Sequence, residues 1–148
     1  MNISYLYKKL ESLTYRDFFQ VESDFFIYLT SISKDKSISY INTFLIVSNW
    51  MGMSERSGVW VFYESTNISM IQDAVSYLKA KEDNELACML EKGIHDYQNP
   101  IYFGNFNYPD EWITESEQID DWISDHTDWL RRWLYTFLME KKEQIIAL

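Results

Sequence analysis

Residues 114–137 read TESEQIDDWISDHTDWLRRWLYTF, and no other stretch of the chain indicates its fold class so clearly. Every three or four residues a side chain falls on the same, mostly apolar side, which is the spacing of an amphipathic α-helix. Thr114 and Glu117 match the capping box that opens many helices. The positions on the apolar side are Ile119, Trp122, Ile123, His126, Leu130, Trp133, Leu134 and Phe137. The pattern therefore predicts one long amphipathic helix, keeping this spacing for about five turns, at the end of the chain.

The rest of the chain also favours helices over strands. Helical spacing recurs in residues 3–13 and 15–32, and a second capping box at Ser69 and Gln72 opens another helical segment. Only four Gly and two Pro occur, which argues against a turn-rich all-β fold. We predict an all-α fold of six or seven helices in a single domain that spans residues 1–148.

Two segments depart from the helical pattern. Residues 98–112 hold both prolines and one glycine, and we predict a loop whose aromatic residues pack down on the domain. Those aromatic residues are Tyr102, Phe103, Phe106 and Tyr108. Residues 58–65 read GVWVFYES, a β-branched and aromatic composition typical of strands. Because no second strand is apparent nearby, we predict a buried helical or irregular segment there instead.

Negative charge is concentrated toward the C-terminal end. The formal net charge is −10, and residues 101–128 alone hold eight carboxylates and no Lys or Arg. Such a surface would repel phosphates, so direct binding to nucleic acid or to an anionic membrane is disfavoured. The charge balance instead favours a basic partner, or an acidic surface that only maintains solubility.

Other features lead us to expect a cytoplasmic protein. No apolar run approaches the ~20 residues that cross a bilayer, and the N-terminal MNISYLYKKLES lacks the order of a signal peptide. Cys88 is the only cysteine, so no internal disulfide is possible, and its apolar neighbours predict that it is buried.

We expect no metal and no cofactor, since no nucleotide-binding turn, metal-ligand spacing or catalytic pair is recognisable.

The carboxylates of the predicted last helix fall on one side of it. At 100° per residue, four of them lie within an arc of about 80° opposite the apolar side. These four are Glu117, Asp121, Asp125 and Asp128, with Asp120 at the border. Like charges at i,i+3 and i,i+4 cost roughly a few tenths of a kcal/mol each, and Asp is a poor residue inside a helix.

Stability alone does not account for this arrangement, so we predict a surface that binds a basic partner. Trp129, at the edge of the apolar side, is a candidate anchor, because Trp is enriched at interface hot spots. The predicted partner-binding residues are Asp110, Glu111, Glu115, Glu117, Asp120, Asp121, Asp125, Asp128 and Trp129.

The order of features between residues 38 and 146 carries a family resemblance. A helix is followed by an aromatic segment that begins at Gly58, by a pair of helices, and by Ile119-Asp120-Asp121-Trp122 at the entry to the last helix. This order resembles a bacterial domain-of-unknown-function family that includes a DNA-mimic protein. That family usually opens the aromatic segment with two glycines and a Phe, whereas this sequence has Ser57-Gly58-Val59.

The resemblance implies an all-α fold and self-association, as a homodimer. For the characterised member it implies capture of a DNA-binding regulator through a negative surface. Among individual residues, the resemblance assigns such a role only to Asp120 and Asp121. Three alternatives stay open: an immunity or antitoxin protein that covers a toxin, a small enzyme with an unrecognised site in residues 98–112, and acidity that serves solubility alone.

Overall fold

The computed structural model describes residues 2–105 and 107–148, and in this part of the chain it contains helices and no strand. The predicted all-α class is confirmed, whereas the predicted count of six or seven helices is too low. The helices are α1 (Ile3–Glu11), α2 (Phe19–Ser33), α3 (Ser39–Arg56), α4 (Val59–Ser65), α5 (Ile68–Ala80), α6 (Asn84–Lys92), α7 (Asp110–Asp125), α8 (Thr127–Glu140) and α9 (Lys142–Ile146), with a short 3₁₀ helix at Tyr15–Asp17. Phe106, one of the aromatic residues predicted to pack the loop down, lies outside the described residues.

The helices form two units, each with its own core. The terminal unit combines the chain up to Ile38 with His126–Leu148, and the central unit is Ser39–Asp125. One domain over residues 1–148 stays a prediction. None of the described helices is both long and apolar enough to cross a bilayer.

In the terminal unit, α1 packs against α2 and α9, and α8 packs against the 3₁₀ helix and α9. Tyr7 is buried at the centre of this arrangement, and its hydroxyl donates a hydrogen bond to the carbonyl of Leu138 at 2.9 Å. Its ring meets Phe25 edge to face, with 5.1 Å between the ring centroids. The first helix of the chain is thereby tied to α8, 131 residues away in sequence.

In the central unit, α3 packs against α4, α5 and α7, and α5 packs against α6. Trp50 of α3 is completely buried, and its Nε1 donates to the hydroxyl of Tyr63 at 3.0 Å. That hydroxyl donates in turn to the carbonyl of Leu90 at 2.7 Å, and burial raises its pKa, so the phenol stays protonated. A Cβ at Gly93 would lie 2.3 Å from the Tyr63 ring, so only glycine fits there.

The ambiguous segment GVWVFYES is helical, since Val59–Ser65 forms α4. Gly58 precedes it with a φ of +98°, a conformation that L side chains rarely adopt. Val59, Phe62 and Tyr63 point into the core, which explains the apolar composition that resembled a strand. Tertiary burial here outweighs the β propensity of the segment.

Both predicted capping boxes misplace the start of a helix. Asn67, rather than Ser69, caps α5, because its side chain accepts a hydrogen bond from the Ser69 N–H at 2.9 Å. The helix predicted to open at Thr114 begins four residues earlier, at Asp110. There the carbonyl of Pro109 accepts the first helical hydrogen bonds, and the predicted loop ends before residue 112.

The prediction of one long final helix is wrong. α7 ends at Asp125, α8 begins at Thr127 after a break at His126, and α9 follows α8. His126 has φ −116° and ψ 18°, which lies outside helical geometry. It stands in the run Ser-Asp-His-Thr-Asp, residues 124–128, in which every residue has low helix propensity. The periodicity of the apolar residues continues across this break and gave no sign of it.

Cys88 is exposed, contrary to the prediction that it is buried. The buried residues of α6 are Leu86, Ala87 and Leu90. Cys88 is two residues from both leucines, which places it about 200° around the helix from each of them. Apolar neighbours in sequence therefore did not imply the same face of the helix.

Candidate functional site

The outer face of α7 carries a line of exposed carboxylates that we call the outer row. It consists of Asp110, Glu117, Asp121 and Asp125. At 100° per residue these four fall within an arc of about 80°, away from the buried residues Ile119 and Ile123. Glu111 borders the row and is also exposed. The earlier start of the helix thus brings Asp110 onto the same face as the three predicted members.

The outer row is not neutralised from within the described parts of the chain. Neither its members nor Glu111 make a side-chain hydrogen bond or an ion pair there, and α7 contains no Lys or Arg. Asp110 and Glu111 lie in the first turn of α7, where the helix dipole favours anions. Asp121 and Asp125 are too far along the helix to gain from that effect.

Asp120 differs from its neighbour Asp121, because it holds two other helices in place. Its Oδ1 accepts hydrogen bonds from the Ser54 hydroxyl at 2.6 Å and from the Val59 N–H at 2.9 Å. Gly58 has no side chain with which to cap α4, so the carboxylate of α7 caps it instead. The two segments on which the family resemblance depends, around Gly58 and around Asp120, are therefore in contact.

Glu115 is also engaged within the central unit. Its Oε2 lies 2.8 Å from Nε2 of His95, and both side chains are half-buried. The His95 ring stacks on Trp112, with 4.7 Å between centroids and 7° between planes. Glu115 thus contributes to the packing of α7 rather than to its open face.

Asp128 and Trp129 belong to the terminal unit, on α8. Asp128 lies in the first turn of that helix, accepts a hydrogen bond from the Tyr15 hydroxyl at 3.1 Å, and pairs with Arg16 at 3.7 Å. The predicted run of four carboxylates on one helix therefore stops at Asp125, and Asp128 has a basic partner of its own. Trp129 is 42% exposed.

The other tryptophans of this region pack within their own units. Trp122 is half-buried in the central unit, lies 6.1 Å from Trp50 between ring centroids, and donates from Nε1 to Glu85 at 2.9 Å. Trp133 is half-buried in the terminal unit and stacks on Phe137, with 5.0 Å between centroids. Both rings pack against other aromatic rings, as expected for positions on the apolar side of the predicted helix.

A cavity of about 330 Å³ opens beside Asp120 in the central unit. Its lining residues are Ser57, Gly58, Trp60, Tyr97, Tyr108, Ile113, Ser116, Glu117 and Asp120. The loop to which the enzyme alternative pointed contributes Tyr108. Over the described residues, no three His, Cys, Asp or Glu side chains are grouped so as to hold a metal ion.

The cavity was not predictable from the sequence, because its walls come from distant segments. Val59 and Asp120 are 61 residues apart, and nothing in either segment identifies the other as its partner. The one available signal was Gly58, the glycine at the start of an otherwise aromatic segment. No family model, curated protein or solved structure matches the chain.

Proposed function

We propose that the outer row is a docking surface for a basic protein, and that its carboxylates take the place of DNA phosphates toward a DNA-binding regulator. The observation that supports the proposal is that these carboxylates are exposed and unpaired among the described residues. Four exposed carboxylates lie in line on one helix, and no cation within the described residues pairs with them. Their charge is therefore available to a partner.

The dimensions of the row suit such a role. From Asp110 to Asp125 it extends roughly 22 Å along the helix axis, and neighbours at i,i+4 are about 6 Å apart. One strand of duplex DNA carries a phosphate about every 3.4 Å. The row thus offers about half the linear charge density of a strand, and Glu111 adds to it. Lys and Arg side chains spaced for a phosphate backbone can reach several of these carboxylates at once.

The expected energetics are those of an electrostatic interface. Each exposed ion pair contributes about 0–1 kcal/mol, so no single carboxylate dominates. Several pairs in register give fast association that weakens steeply with salt. The resemblance to the family that includes a DNA mimic supports this proposal, and it adds the expectation that the chain self-associates.

The test compares two triple variants of the full chain that lose the same charge. One changes the outer row by Asp110→Asn, Asp121→Asn and Asp125→Asn, and leaves Glu117 and the cavity intact. The matched control changes three exposed carboxylates outside it, by Asp35→Asn, Glu55→Gln and Glu143→Gln.

A basic protein is first captured from the cell of origin at low salt, and its affinity for each variant is then measured over a salt series. We expect the outer-row variant to bind roughly 30-fold more weakly and to show a shallower salt dependence, and the control to bind like the wild type. Equal losses in both variants would remove the docking proposal.

Competition with duplex DNA separates the two kinds of basic partner. A mimic of phosphates must be displaced by DNA, because both occupy one surface of the regulator. An immunity protein would instead restore growth to cells that express the captured protein as a toxin.

A further inference from the structure

The cavity beside Asp120 has walls of a particular chemical kind. Among the described residues, three aromatic rings line it, those of Trp60, Tyr97 and Tyr108. The centroids of Trp60 and Tyr108 are 6.1 Å apart, and those of Tyr97 and Tyr108 are 4.8 Å apart. The faces of such rings carry partial negative charge and attract organic cations.

The hydroxyl groups of Tyr97 and Tyr108 stay protonated over the physiological pH range, so both rings remain uncharged and can attract a cation. Burial, and then the nearby Glu115, raise the pKa of Tyr97 to about 12. The pKa of Tyr108 is raised by burial and by the hydrogen bond that its hydroxyl donates to Glu64. The formal charge of the cavity therefore comes from its two carboxylates, Glu117 and Asp120.

Asp120 leaves one oxygen available at the cavity. Both of its hydrogen bonds are accepted by Oδ1, and Oδ2 has no partner among the described residues. Oδ2 would lie 3.6 Å from a Cβ at Gly58, another lining residue, which places this oxygen at the wall. Glu117 follows the same edge of α7 one turn earlier and is exposed. The described residues that line the cavity include no Lys, Arg or His.

We propose that the cavity binds a guanidinium group, supplied by an arginine side chain of the basic partner. A guanidinium is planar, stacks on aromatic faces, is weakly hydrated, and donates hydrogen bonds in a fork that suits carboxylates. Glu117 belongs both to the cavity and to the outer row, so a protein docked on the row can place an arginine side chain in the cavity. The assignment of the guanidinium to an arginine of the partner rests on the proposed docking function, whereas recognition of a guanidinium by the cavity does not.

The experiment titrates the full chain with N-acetyl-arginine amide and follows the Gly58 amide and the Trp60 indole N–H by NMR. The matched ligand is N-acetyl-citrulline amide, which has nearly the same shape and no charge. We expect saturable shifts of these two resonances with the arginine compound only. Equal shifts with the citrulline compound would overturn the proposal, because they would show that charge is not recognised.

Two substitutions on α7 form the matched protein pair. Glu117→Gln removes a carboxylate from the cavity, and Asp121→Asn removes one from the outer row outside it. We expect Glu117→Gln to weaken binding of the arginine compound about fivefold, and Asp121→Asn to leave it unchanged. Equal weakening by both would mean that only general charge is sensed, and the proposal would fail.

Trp60→Leu tests the aromatic wall and separates the source of the guanidinium. It should weaken the arginine compound about tenfold, with the helical circular dichroism spectrum of the variant as a check on folding. The affinity of the captured protein should fall with it. If the compound loses affinity and the protein does not, the natural ligand is a free guanidinium compound and the assignment to a partner arginine is wrong.

Failure of the cavity and failure of the docking surface are distinguishable. The outer-row triple variant keeps every residue that lines the cavity, so it should lose the captured protein and still bind the arginine compound. If no arginine compound binds while the captured protein still depends on the outer row, the cavity proposal falls and the docking proposal stands.

Discussion

The outer face and the inner edge of α7 carry carboxylates with opposite relations to the rest of the protein. Asp121 and Asp125, on the outer face, have no partner among the described residues. Glu115 and Asp120, which flank the buried face of α7 and together form what we call its inner edge, are held by His95 and by the start of α4. In the sequence these side chains form one acidic run. The fold divides them into residues that position helices and residues that remain available.

This division changes the meaning of the acidic run. The inner carboxylates need no partner protein to account for them, because each satisfies a donor of the central unit. Asp121 and Asp125 gain nothing from the fold and repel one another at i,i+4. The case for docking therefore depends on the outer row alone, and substitutions that treat the two groups differently can test whether the division is real.

The largest expected effect is on stability, at the adjacent pair Asp120 and Asp121. Asp120→Ala removes two charge-assisted hydrogen bonds and leaves the Val59 N–H without an acceptor, so unfolding should become easier by about 3 kcal/mol. Asp121→Ala removes the same charge from an exposed site and should change stability by less than about 0.5 kcal/mol. Urea denaturation of both variants measures the difference. Equal effects would show that Asp120 does not cap α4.

That capping contact also shows where prediction from sequence stops. Helical class follows from local spacing, so an all-α fold was predictable from residues such as Ile119 and Ile123. Whether a carboxylate is available depends on partners such as Val59, which lies 61 residues before Asp120. No periodicity in the sequence indicates so distant a contact, so the sequence alone does not distinguish Asp120 from Asp121.

The break at His126 was missed for a different reason. The apolar spacing continues from Ile123 to Leu130, and that spacing was the basis for predicting a single helix. The propensities of residues 124–128 oppose a helix, and Asp128 is well placed in the first turn of α8. Asp125 and Asp128 are not i,i+3 neighbours on one helix, because Asp125 ends α7 and Asp128 lies in the first turn of α8.

The next effect concerns His95 and Glu115. In a double-mutant cycle, Glu115→Gln and His95→Phe each break the contact, and the second keeps a ring to stack on Trp112. We expect a coupling free energy of about 1 kcal/mol, because the pair is half-buried and hydrogen-bonded. Urea denaturation of the two single variants and the double variant gives this value. Additive losses would mean that the contact does not stabilise the central unit.

A smaller effect is expected for Asp128, the acidic residue that pairs with Arg16. The two side chains are 65% and 74% exposed, so water screens the pair strongly. Asp128→Asn should lower the free energy of unfolding by about 0.5 kcal/mol at low salt. The loss should disappear near 1 M salt, where the screening length is about 3 Å. Asp125→Asn, which breaks no pair, is the control, and a loss at Asp128 that salt leaves unchanged would refute the assignment.

The last expected change is a gain in stability, at Asp121. Asp121→Lys places a cation four residues after Glu117 and four before Asp125, so two like-charge contacts become attractive. Each favourable pair contributes about 0.2–0.5 kcal/mol, and thermal unfolding should shift upward slightly. The same change should weaken capture of the basic protein, because it places a cation within the outer row. Opposite movement of stability and binding is the signature of a surface maintained for a partner. If both decline together, Asp121 has a structural role and the outer face is no different from the inner edge.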